Sequence, residues 1–140
     1  MGAPPPKGSE MWCARTRNGK SIKDGPFVVF DMNGTKIIQG FYSDGIQSGK
    51  WTMWYDTGQR SAVDHYIAGQ QEGLHTSWYA NGAKAIEGYY RGGKREGVWH
   101  RWDPNGLTVW SDVYKDDVRV SSIGRSTLLP PNPSRQGQAN

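Results

Sequence analysis

Three histidines, one cysteine and a scatter of carboxylates are the groups on this chain whose types could do chemistry. His65 follows Asp64, with Ser61 nearby, and these are the ingredients of acid–base assistance to a hydroxyl. In an extended segment, however, adjacent side chains project to opposite faces, which parts Asp64 from His65. No Gly-x-Ser-x-Gly turn offers a strained serine nucleophile. By the same parity His75 and His100 fall on opposite faces. His65 and His75 can share one, but no third ligand recurs beside them, and a metal site needs convergent ligands. Cys13 follows Trp12 with no adjacent base to lower its thiol pKa. A single cysteine also forms neither an intrachain disulfide nor a multi-cysteine zinc site. The reading is a chain with no catalytic residue, no metal and no cofactor.

The elements that carry these residues follow from composition and spacing. The chain has 140 residues, 35% of them hydrophobic, 12% aromatic and 19 of them glycine. That is one domain's length. Few aliphatic residues, many rings and many glycines suggest short strands, tight turns and a core of aromatic side chains. Gly25, Gly49, Gly73 and Gly97 are spaced by 24, and Gly34, Gly58, Gly82 and Gly106 keep the same interval. Phe30, Trp54, Trp78 and Trp102 obey it too, as do Tyr42, Tyr66, Tyr90 and Tyr114. Such self-similarity marks a repeat architecture. Asn33-Gly34, Asn81-Gly82 and Asn105-Gly106 are dipeptides favoured in two-residue type I′ hairpin turns, with Thr57-Gly58 the weaker copy. The expected fold is all-β. It is an elongated single-layer antiparallel meander of consecutive hairpins, about eight strands plus an incomplete one at the start. Four repeats occupy 25–48, 49–72, 73–96 and 97–120. Residues 1–24 form a Pro-rich arm with a capping edge strand, and 121–140 form a Pro-rich tail, flexible or docked.

The pattern resembles the MORN repeat in its bacterial variant form. The resemblance is carried by 49–58, 73–82 and 97–106, each opening on Gly and closing on Gly with a central Trp, and by the Tyr-x-x-Gly-x-x-x-Gly stretches 66–73 and 90–97. It covers 25–120. It implies an interaction or scaffolding module, and some family members are antitoxins or contact phospholipid.

Alternation assigns the faces. Counting from the leading Gly of each repeat, the fifth position is aromatic in every copy. Together with the tyrosines it is read as the structural ladder: Phe30, Trp54, Trp78, Trp102, Tyr42, Tyr66, Tyr90 and Tyr114. The second, fourth and sixth positions vary between copies. They are read either as a recognition strip or as a second face covered by a tail. The candidate binding residues are Trp51, Met53, Tyr55, His75, Tyr79, Trp99 and Arg101, chosen because Trp, Tyr, Met and Arg are enriched at interface centres.

Six of the eight prolines lie in the two tails. Leu128-Leu129-Pro130-Pro131 could dock as an extended peptide into a groove. The array 25–120 carries a net charge of −1, while the tails carry +3 and +2. The positive excess is thus off the sheet, which argues against nucleic acid and, on charge, against a membrane-lipid partner. A protein partner is the leading expectation. It includes antitoxin-like or immunity-like neutralisation as a special case. Cell-wall glycan binding through the rings and edge-to-edge or tail-mediated self-association are the alternatives. No apolar run is long enough for a membrane helix, and Met1-Gly2 lacks the Ser or Thr that N-myristoylation requires at the sixth position, which is Pro6. No leader peptide is visible, although one already removed is left open. The Pro-rich lead-in before Trp12-Cys13 looks like that of bacterial envelope proteins. It implies the envelope or export, with the cytoplasm as the alternative.

Overall fold

Glycine and Asx residues at fixed intervals break the chain into strands too short to do anything but pair with their neighbours. The computed structural model describes residues 8–127. It is one open antiparallel sheet in meander order, without a helix and without closure into a barrel. The strands are β1 (Glu10–Arg17), β2 (Lys20–Phe30), β3 (Lys36–Ser43), β4 (Ile46–Trp54), β5 (Arg60–Ile67), β6 (Gln70–Gln71), β7 (Gly73–Trp78), β8 (Lys84–Arg91), β9 (Lys94–Trp102), β10 (Thr108–Lys115) and β11 (Val118–Thr127). Each pairs with the next, except that β6 and β7 both pair with β5, being one strand interrupted at Glu72. The meander is longer than the sequence reading. β1 is a full edge strand, and 121–127, read as tail, belong to β11. The Leu-Leu-Pro-Pro segment lies outside the described residues.

Two kinds of turn alternate, and their assignment corrects the sequence reading. The Asn-Gly dipeptides at the tips do not form type I′ turns. Gly34 N–H donates to Asp31 O at 3.0 Å, and Gly82 N–H to Tyr79 O at 2.9 Å. Gly34 and Gly82 have φ of +81° and +88°, while Asn33 and Asn81 stay on the negative side. This is a type I turn followed by a left-handed glycine, the three-residue hairpin loop. The asparagine serves as an Asx cap instead: Asn81 Oδ1 accepts from Ala83 N–H at 2.9 Å. Two consecutive left-handed residues, the type I′ signature, occur at the opposite edge: Asn18-Gly19, Asp44-Gly45, Ala68-Gly69, Gly92-Gly93 and Asp116-Asp117. Those turns also tie hairpin to hairpin. Gly45 N–H donates to Lys23 O, Gly69 to Gln47 O, Gly93 to Gln71 O and Asp117 to Arg95 O, at 2.7 to 3.1 Å.

The most buried rings lie on the face opposite to the one expected, while Thr52, Val63 and Thr76 are buried on the fifth-position face. Phe27, Trp51 and Trp99 are 6%, 7% and 8% exposed, whereas the fifth-position rings Phe30, Trp54, Trp78 and Trp102 are half-buried. The reason is register. Gly25 pairs with Tyr42, Gly49 with Tyr66, Gly73 with Tyr90 and Gly97 with Tyr114. The tyrosines therefore stand on the face of the second-position residues and pack edge-on against them: Phe27–Tyr42 at 5.2 Å, Trp51–Tyr66 at 6.1 Å, His75–Tyr90 at 5.9 Å and Trp99–Tyr114 at 6.3 Å between centroids. On the other face, each fifth-position tryptophan carries a cation from the preceding hairpin. Lys36 Nζ lies 4.9 Å from the Trp54 centroid, Arg60 Cζ 4.7 Å from Trp78 and Lys84 Nζ 5.5 Å from Trp102. A cation over an indole is favourable even at exposed sites, by about 0.5–1 kcal/mol.

Candidate functional site

Trp51 and Trp99, read as exposed recognition rings, lie in the core, 7% and 8% exposed. Tyr55 and Tyr79 are clasps between hairpins: Tyr55 Oη donates to Trp78 O at 2.7 Å, and Tyr79 Oη to Trp102 O at 2.6 Å. The sixth position in the first and last copies is Asp31 and Asp103, and there it caps its own turn. Asp31 Oδ1 accepts from Asn33 and Thr35 N–H, and Asp103 Oδ1 from Leu107 and Thr108 N–H. Burial raises the Asp103 pKa, but its backbone and side-chain bonds to Thr108 and the Leu107 and Gly106 amides outweigh that and hold it below the ordinary value. Met53 and Arg101 are exposed, and His75 is half-buried. His65 and His75 do not share a face. His65 opposes Lys50 and its Nδ1 meets Leu74 O at 3.0 Å, whereas His75 stands among the buried rings.

The buried face has an internal grammar that spacing alone did not disclose. The residue directly opposite the second position is Gly40, Asp64, Gly88 and Asp112 in successive hairpins. The next hairpin's second-position ring leans over it. A Cβ added to Gly40 would sit 2.2 Å from the Trp51 ring, and one added to Gly88 would sit 2.1 Å from Trp99. Only glycine admits an indole there. Where aspartate stands, the ring is smaller and polar: His75 Nδ1 lies 2.7 Å from Asp64 Oδ1, and Gln71 Nε2 donates to the same oxygen at 3.0 Å. Asp64 is 5% exposed, so its carboxylate depends on these partners. Burial raises the Tyr66 and Tyr90 pKa values, with the Asp64 charge adding to the effect.

The rings thus divide into two clusters, Phe27–Tyr42–Trp51–Tyr66 and His75–Tyr90–Trp99–Tyr114, with Asp64 between them. Beside the second cluster the sheet forms a concavity of about 300 Å³, whose walls include His75, Tyr90, Trp99, Arg101, Asp112 and Tyr114. Arg95 lies over the Tyr114 ring at 4.2 Å and is held by Asp117 at 2.6 Å. This bond depresses the Asp117 pKa and raises that of Arg95. Three of the seven candidate binding residues therefore meet in one place: His75, Trp99 and Arg101. Asp112 joins them unforeseen. The signal for it was present in the sequence: Gly40, Asp64, Gly88 and Asp112 follow one another at 24-residue intervals, so that Gly and Asp alternate.

On the reverse face, His100 Nδ1 meets Ser111 Oγ at 2.8 Å, and Glu87 opposes His100 across the ladder. Lys84 Nζ holds Glu87 at 2.7 Å, so the carboxylate that could orient the imidazole is drawn away from it. Among the described residues there is no group of three metal-ligating side chains. A scan of protein-family models gives no match to this chain, and no curated protein matches it significantly.

Proposed function

We propose that the chain is a non-catalytic protein-binding module of the MORN-like kind, with its recognition surface at the concavity of the last two hairpins. One observation carries the reading. The aromatic face carries a concavity beside Trp99 and Tyr114, where exposed Arg101 and half-buried Asp112 stand together. Aromatic walls with a few oriented charged groups are the composition of interface hot spots. The meander supplies the rigidity that keeps binding from costing much ordering entropy. Neutralisation of a partner's own active surface is a special case of the same reading.

The test is capture of a partner from envelope and cytosolic extracts of the native host by the wild-type chain and by Arg101→Glu. Arg101 is exposed, so the reversal leaves the core intact. A specific protein retained by the wild type and lost by the variant supports the reading. Equal retention by both places the surface elsewhere, and no retained protein in either extract counts against a protein partner.

A glycan-binding alternative draws on Trp54, Trp78 and Trp102, which are half-exposed at one ring per hairpin on the reverse face. Successive rings stand two strands apart, about 9.6 Å. Titration with wall polysaccharide should then quench tryptophan fluorescence in the wild type and less in Trp78→Ala. No quenching would remove this alternative.

A further inference from the structure

The array ends one side chain short. Asp64 is completed by two residues of the following strand, Gln71 and His75. Adding 48 to each number gives Asp112, Arg119 and Ile123. Arg119 repeats the Gln71 contact loosely, its Nη1 3.9 Å from Asp112 Oδ1. Ile123 repeats nothing. The register slips between Ser111 and Asp112, so Ser122 stands opposite Asp112, and Ile123 is 64% exposed. The Asp112 side chain is 21% exposed and sits in the wall of the Trp99–Tyr114 concavity, with that one distant arginine as its ion-pair partner among the described residues.

We infer that Asp112 receives a histidine side chain from the protein partner, in the place that His75 takes on Asp64; this rests on the protein-binding reading above. Two features select imidazole over the other rings used on this face. An indole stands only where glycine leaves room beneath it, at Gly40 and Gly88, and Asp112 fills that room. A phenyl ring has no N–H to give a carboxylate, whereas an imidazole N–H donates to one at 2.7 Å in the Asp64 copy. The surrounding charge favours a ring that need not be cationic. Arg101 stands 5.2 Å from the Trp110 centroid, and Arg119 already faces Asp112, so a lysine or arginine guest would meet like charge.

The test is an NMR titration of the ¹⁵N-labelled full chain with N-acetyl-histidine methylamide, and with the alanine and tryptophan analogues as comparisons. The histidine probe should shift the Trp99 indole and the 111–114 amides, leave the Trp51 indole unmoved, and bind about tenfold more weakly to Asp112→Asn. Ser122→His places an imidazole opposite Asp112 within the chain and should abolish the shifts in a protein that is folded by the same spectrum. Absence of shifts, equal shifts with the alanine probe, or an unchanged titration in either variant overturns the inference, whether or not extracts yield a partner. Probe binding that both variants lose supports a histidine seat at Asp112; where capture fails as well, the seat stands and the partner origin of its histidine falls with the protein-binding reading.

Discussion

His75 Nδ1 and Asp64 Oδ1 meet at 2.7 Å in the middle of the sheet, at the one point where the ladder of stacked rings is interrupted by a buried charge-bearing group. On either side of them the same positions are filled by Trp51 over Gly40 and Trp99 over Gly88. One backbone site thus accepts two complete solutions, one polar and one apolar, and mixtures of the two are penalised.

That relationship predicts a coupled pair of substitutions. His75→Phe leaves Asp64 with Gln71 alone and should cost about 3 kcal/mol. Asp64→Gly removes the carboxylate but leaves a void under the imidazole. The double variant Asp64→Gly with His75→Trp recreates the neighbouring solution and should recover most of the loss. Urea denaturation of these variants, together with His75→Trp alone, closes the cycle and measures the coupling. A double variant no more stable than the worse single one would mean that the two solutions are not interchangeable.

Burial ranks the tryptophans. Trp99→Ala, which empties a site 8% exposed, should cost about 3–5 kcal/mol. Trp78→Ala should cost clearly less, because its ring is half-exposed and loses one cation contact from Arg60. Thermal denaturation of both variants decides the order, and the reverse order would restore the fifth position as the core.

Tyr79→Phe deletes a hydroxyl whose work is to hold the next hairpin through Trp102 O. The expected loss is about 1 kcal/mol. Hydrogen exchange should rise most in 97–106, beyond the clasp, and uniform exchange along the chain would argue against a local role.

The phenols of Tyr66 and Tyr90 titrate above their ordinary value because of burial and the nearby Asp64 charge. A pKa raised in the folded state gives stability that is fully present below the unfolded value, about pH 10, and is lost as pH rises through the folded value. Stability should therefore fall on the alkaline side. Asp64→Asn removes the charge and should move both phenolate transitions, followed by absorbance, to lower pH. Unmoved transitions would leave burial as the whole cause.

How much of this was legible in the sequence differs by level. The 24-residue spacing of Gly25, Gly49, Gly73 and Gly97 sufficed for an open meander. The turn types were inverted because Asn-Gly suits both a type I′ turn and a type I turn with a left-handed glycine, and strand register decides between them. The faces were inverted for a related reason. Constancy at Trp54, Trp78 and Trp102 looked like core packing, yet it reflects the constant cation from the preceding hairpin. Variation at Phe27, Trp51, His75 and Trp99 looked like recognition, yet Trp51, His75 and Trp99 are each matched to the Gly or Asp they cover. Burial follows that cross-strand match, and a one-residue change of parity moves every side chain to the other side.

The Gly–Asp alternation also constrains how such a chain can lengthen or shorten. Excising a single hairpin, 73–96, would bring Trp99 against Asp64, a ring too large for its seat. Excising 49–72 would set His75 over Gly40 and leave a hole. Excising both, 49–96, joins Gly40 to Trp99 and restores a fitting contact. A change of length that keeps these rings seated is therefore a change by two hairpins.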